Sequence, residues 1–200
     1  MRVVIFGGLG TVGKAIAAEL SARHEVIPVG RTSGDYRADM TDLASVRSLL
    51  EKLGKVDALV SAAGGVHFGP LSAMTPELMQ VGLNDKVMGQ VNLVLAGQHL
   101  LNDGGSITLT AGVLTDDPIR FGSSASLCNG AIESFVKAAA IELPRGLRVN
   151  AVSPTVLEES MGSYGAFFRG YEPVPAQRVA LAYSRSVEGA QTGQVYKVVR

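Results

Sequence analysis

Three glycines, Gly7, Gly10 and Gly13 in FGGLGTVGKAIAAEL, follow a short β-branched run and lead into a helical pattern. Residues without side chains at this spacing let a backbone close on a pyrophosphate, whose charge rests on free N–H groups and the positive end of the helix. Thr11 and Val12 complete the loop. In a strand-loop-helix context the pattern reads as a dinucleotide site rather than a mere tight turn, without choosing between flavin and nicotinamide cofactors. The next strand ends in VGRTSGD. An acid at such a strand end grips both ribose hydroxyls, whereas an arginine accommodates a 2′-phosphate. Arg31, followed by the hydroxyls of Thr32 and Ser33, offers that second chemistry. The expected cofactor is therefore NADP, with NAD as the alternative and Asp35 as the alternative ribose acid.

Other groups capable of chemistry are scattered. His67 stands in a loop, where a lone histidine is more often solvated than functional. Asp116 and Asp117 are adjacent and so point apart, a poor arrangement for paired carboxylates. Thr110, Ser123, Ser124 and Tyr164 carry hydroxyls without an identifiable base. Three histidines and one cysteine, Cys128, spell no metal site and allow no internal disulfide. Cys128 reads as a small helix-packing residue.

These residues need a frame, and the chain spells one. RVVIF, the glycine loop with its helix, HEVIPVG, a helix from about Asp42 to Leu53 and VDALVSAAG make a βαβαβ succession. Thr75, Pro76 and Glu77 open a helix as cap, first residue and first-turn acid, and its apolar pattern runs to about Leu101. SITLT, a long helix over residues 123–143, LRVNAVS, a helix near 176–184 and QVYKVV follow, with SPTVLEESMGSYGAFFRGYEPVP as a loop or lid. The expectation is one α/β domain over residues 1–200. It is a Rossmann fold with a doubly wound, mostly parallel sheet of about seven strands and helices on both faces. Eighteen basic residues balance eighteen acidic ones without like-charge runs, so charge points to neither nucleic acid nor a membrane surface. The lone cysteine and the lack of leader features at the start fit a cytoplasmic location.

Later stretches carry a specific resemblance. SAAG at Ser61–Gly64, TPELMQVGLNDKVMGQ and AIESFVKAAAIELPRGLRVNAVSP resemble, in order, the third-strand turn, the fourth helix and the fifth helix with its strand in the short-chain dehydrogenase/reductase family. The resemblance implies that Asp39 and Met40 lie beside the adenine, that Ala62, Ala63 and Gly64 border the cofactor, and that Pro154 and Val156 approach the nicotinamide. Departures are equally specific. Thr11 stands where the family has its middle glycine, Ser61 and Ala62 replace asparagines, and Thr155 follows Pro154 in place of glycine.

The family's four catalytic positions all differ. Lys86 falls at the asparagine, Ala111 or Gly112 at the serine, Ala125 at the tyrosine and Asn129 at the lysine. The chain thus resembles an atypical subgroup that keeps the glycine loop without the usual catalytic set. Lys86 and Asn129 exchange two of the types, which makes them the candidate catalytic pair: an ammonium to polarise a carbonyl and an amide to hold a ribose or a water. The bland alternative for Lys86 is a side chain reaching solvent or pairing with Asp85. Two functions follow: an NADP(H)-dependent oxidoreductase on a small carbonyl or alcohol, or an inactive NADP(H)-binding sensor or interaction module. Ser126, Gly130, Ser134 and Ala138 recur every four residues along the fifth helix. This small flank, with the family's pairing of the fourth and fifth helices, implies a homodimer or homotetramer.

Overall fold

The computed structural model describes residues 1–199. Its sheet contains β1 (Arg2–Phe6), β2 (Glu25–Gly30), β3 (Tyr36–Arg37), β4 (Val56–Ser61), β5 (Leu101–Thr110), β6 (Arg148–Pro154) and β7 (Val195–Val198). The spatial order is β3-β2-β1-β4-β5-β6-β7, and every neighbouring pair is parallel. Six of these strands are legible in the sequence. The seventh, β3, is two residues long and too short to show a pattern.

Parallel strands covered on both faces read as continuous apolar runs, because alternate residues enter opposite cores. In β1, Val4 and Phe6 join one core while Val3 and Ile5 join the other. The first core lies beneath α2 (Leu43–Leu53), α4 (Gly89–Leu100) and α5 (Ser123–Glu142). The second lies beneath α1 (Thr11–Ser21) and α7 (Ala176–Glu188). The strand order reverses between β1 and β4, and the carboxyl ends there form the crevice that such sheets offer to ligands. No helix among the described residues is long and apolar enough to cross a membrane.

The helix expected over 75–101 begins as its sequence signals require. The Thr75 hydroxyl accepts the Leu78 N–H at 3.3 Å, and Pro76 opens α3 (Pro76–Gly82). It does not continue as one α-helix, however. Residues Leu83–Met88 form a π-helical segment before α4 begins. Gly82 and Gly89 flank it, and Gly82 packs so closely on α5 that an added Cβ would lie 2.7 Å from the Cys128 sulfur. Cys128 is fully buried, as a packing residue should be. A widened turn of this kind re-aims the side chains it carries. Here it carries Asp85 and Lys86.

Candidate active site

The glycine loop leads from β1 into α1, whose N-cap is Gly10; no side chain caps the helix and no acid occupies its first turn. Its leading N–H groups are therefore available to an anion. Close packing explains the choice of glycine: a Cβ on Gly13 would lie 2.1 Å from the Gly7 carbonyl oxygen. Thr11 is exposed beside Gly10, while Val12 packs against the second core.

At the end of β2, Arg31, Thr32 and Ser33 are exposed. Contrary to the impression of an arginine without an acid, Arg31 is paired. One guanidinium nitrogen donates to Asp85, and another lies 3.7 Å from Asp39. Asp39 accepts the Thr41 N–H at 2.9 Å and the Thr41 hydroxyl at 2.8 Å, and these bonds, with Arg31, hold its carboxyl below the usual range. Met40, expected beside the adenine, turns its side chain into the core against Gly89 and is 4% exposed. Its carbonyl accepts from the Asn92 amide at 2.8 Å.

A cleft of about 340 Å³ opens at the carboxyl edge of β4, β5 and β6. Lys86, Asn129, Gly64, Ala111, Gly112, Ala125, Pro154 and Val156 all line it. All the positions that the resemblance equates with the catalytic residues are thus brought to one cavity. Val66, Phe68, Leu114, Leu157, Tyr164 and Phe168 give it apolar walls. Ala62 and Ala63 lie against the glycine loop, where a Cβ on Gly7 would come within 2.7 Å of each.

Lys86 neither reaches solvent nor pairs with Asp85. Its ammonium turns inward and donates to the Ala111 carbonyl at 3.1 Å. The side chain as a whole is half-buried, but the charged end is deep and has no carboxylate partner among the described residues. Burial consequently brings its pKa down from 10.5 to about 8. Gly64, at φ +128°, makes room for this route, since a Cβ there would sit 3.0 Å from the lysine Cα and Cγ. Asn129 is 3% exposed, and its side-chain oxygen has no hydrogen-bond partner among the described residues. A buried polar atom left open on a cleft wall is a seat for a ligand donor.

Several positioning residues escape a sequence reading. Gln90 is fully buried and clamps Thr110, donating to its carbonyl at 2.9 Å and accepting its N–H at 2.6 Å. The clamp fixes the helix that follows Lys86 to the strand end that precedes Ala111. Thr110 also donates to the Ser61 carbonyl at 2.5 Å and bonds the buried Tyr183 hydroxyl at 2.5 Å. The segment read as a loop or lid includes α6 (Met161–Tyr164) and rests on the cleft mouth through Phe68–Tyr164 and Phe121–Phe167 ring contacts, with centroids 6.0 and 6.1 Å apart. His67 and Asp116 stay outside the cleft, and Asp116 pairs with Lys197 at 2.7 Å. No cluster of possible metal ligands occurs among the described residues.

A parallel sheet with a glycine loop at its switch point and a lined cleft at its carboxyl edge defines a Rossmann-type α/β fold. The chain belongs to the short-chain dehydrogenase/reductase family of oxidoreductases: residues 4–197 match the family model described as enoyl-(acyl carrier protein) reductase. The crystal structure of the protein lin1944 from Listeria innocua is similar over 99% of both chains, with a TM-score of 0.97 and 50% identity. A small-chain dehydrogenase in complex with NADPH is similar at a TM-score of 0.88 and 28% identity, over 99% of this chain and 96% of that one. L-xylulose reductase of Mesocricetus auratus is 27% identical over 179 residues, which cover 80% of this chain and 73% of the relative.

Proposed function

We propose that this protein binds NADP(H) and interconverts a small carbonyl compound and its alcohol, with Lys86 as the proton-handling group. The carrying observation is the inward ammonium, 3.1 Å from the Ala111 carbonyl and without a carboxylate partner among the described residues. The residues fit the cofactor: α1 presents uncapped N–H groups, Gly7 and Gly13 pack too tightly for side chains, and the open Asn129 oxygen suits a ribose hydroxyl. NADPH, when bound, supplies the hydride. Arg31, Thr32 and Ser33 receive the 2′-phosphate, Asp39 borders the adenine, and Pro154 and Val156 face the nicotinamide. An ammonium holds three protons, and one serves Ala111. The others are free to polarise a substrate oxygen and to deliver a proton as negative charge develops there. The apolar walls exclude water from that exchange. Relatives named L-xylulose reductase and the NADPH complex of a similar dehydrogenase support this reading.

A second reading is a binding module without turnover, favoured by the blank cleft positions Ala111, Gly112 and Ala125. Following NADPH absorbance with a panel of small aldehydes and ketones separates the two. Turnover in the wild type that falls about 10²- to 10⁴-fold in Lys86→Met supports the enzyme. Tight NADPH binding with no turnover leaves the module, and turnover unaltered in Lys86→Met removes Lys86 from the chemistry.

We also propose assembly through α4 and α5. Ser134 and Ala138 are exposed, and Leu127 on the same helix is 49% exposed. A backbone of a second copy can approach such a small-residue flank closely.

A further inference from the structure

The end of β2 carries no acid after Arg31 until Asp35, yet the fold delivers two carboxylates to the guanidinium from elsewhere. Asp85, in the π-helical segment, accepts from Arg31 through one oxygen and from the Gly65 N–H at 2.5 Å through the other. It therefore lies between the end of β2 and the turn after β4, with both oxygens engaged. Asp39 stands on the other side of Arg31, at 3.7 Å, and is itself fixed by Thr41. The neighbouring cleft is lined by Arg31, Thr41, Val81, Asn84, Asp85 and Met88, so Arg31 is its one cation among the described residues. One positive charge faces two negative ones.

We propose that Asp85 sets this protein's discrimination between phosphorylated and unphosphorylated adenosine cofactors, by holding Arg31 as a rival to the 2′-phosphate. The proposal rests on the NADP(H) reading above. A phosphate arriving at Arg31 must displace Asp85 or share the guanidinium fork with it. Sharing sets a phosphate carrying nearly two negative charges beside two carboxylates, with no second cation among the described residues of that cleft to compensate. A free 2′-hydroxyl needs neither Arg31 nor its release. Asp85 thus weakens binding of the phosphorylated ligand selectively. Arg31 favours the phosphate, and Asp85 holds that preference below what Arg31 alone would produce.

Asp85→Asn tests this while preserving shape and an acceptor for the Gly65 N–H. The probes are adenosine 2′,5′-bisphosphate and adenosine 5′-monophosphate, titrated by calorimetry into the whole chain at low salt. A thermal melt of each variant checks folding, and Asp85→Ser serves as a second variant should the first not fold. Bisphosphate affinity should rise about three- to tenfold and monophosphate affinity should change by less than about twofold. The gain should shrink at high salt and vanish in Arg31→Ala/Asp85→Asn. Nucleotide binding by the wild type with no bisphosphate gain on substitution, or equal gains for both nucleotides, overturns the proposal alone. Binding of neither nucleotide to either protein overturns the dinucleotide reading and the proposal with it.

Discussion

Replacing Lys86 by Met should stabilise this protein while impairing it. The ammonium titrates at about 8 in the folded state against 10.5 for an ordinary lysine. At about 1.4 kcal/mol per pH unit, that difference costs the folded state about 3 kcal/mol when the group is charged in both states. The lysine is half-buried overall, so solvent reduces the figure, and the bond to Ala111 offsets part of it. The expected net gain for Lys86→Met near neutral pH is about 1–2 kcal/mol, a rise of about 2–4 °C in Tm per kcal/mol for a chain of this size. Below about pH 8 both states of the wild type carry the proton, and the folded state bears the whole cost. Between about 8 and 10.5 the folded state releases its proton while the unfolded state keeps it, so wild-type stability rises with pH. The mutant lacks this rise. Urea denaturation of both proteins from about pH 7 to about pH 10.5 should show the mutant's advantage shrinking steadily. A mutant less stable than the wild type at neutral pH, or a difference independent of pH, would refute the buried uncompensated ammonium. Stability gained where activity is lost is the signature expected of a strained functional group.

The cofactor and assembly readings yield further outcomes. The wild type should bind NADPH more tightly than NADH in fluorescence titrations, and Arg31→Ala should bring the two close to equality, losing about tenfold for NADPH. Equal affinities in the wild type would remove the phosphate role of Arg31. In reduction, the wild-type rate should fall as pH rises past about 8, because the ammonium is the form that donates; a flat profile would assign the proton to another group. Ser134→Arg, on the exposed flank of α5, should yield folded monomers on sizing chromatography that melt no higher than the wild type, because the subunit contact no longer stabilises the fold. An intact oligomer would place the interface elsewhere.

Much of the frame was legible because its signals are local. Thr75 and Pro76 mark a helix start through one hydroxyl and one missing N–H, and β1 announces burial on both faces by the unbroken apolar run Val3 to Phe6. The glycine loop is legible for the same reason: Gly7 and Gly13 meet within a single turn of chain. The π-helical turn over 83–88 was not legible, since its apolar pattern continues and the close approach of Gly82 to Cys128 beside it involves another helix. Gln90 reads as an ordinary helix residue until β5 is set against it. Met40 sits in a stretch that resembles a cofactor contact, yet its side chain follows the core.

The amino-acid sequence by itself determined the α/β succession and the glycine loop, because residue type, periodicity and spacing act over a few residues; the candidate pair Lys86 and Asn129 came from the resemblance to the family. The tertiary structure decided what those residues face. Asp85 reaches Arg31 across 54 positions of chain, and Lys86 reaches Ala111 across 25, and neither meeting has a local signature. Whether an ammonium turns to solvent or into a cleft depends on the desolvation and packing of every element around it, which only the assembled fold supplies.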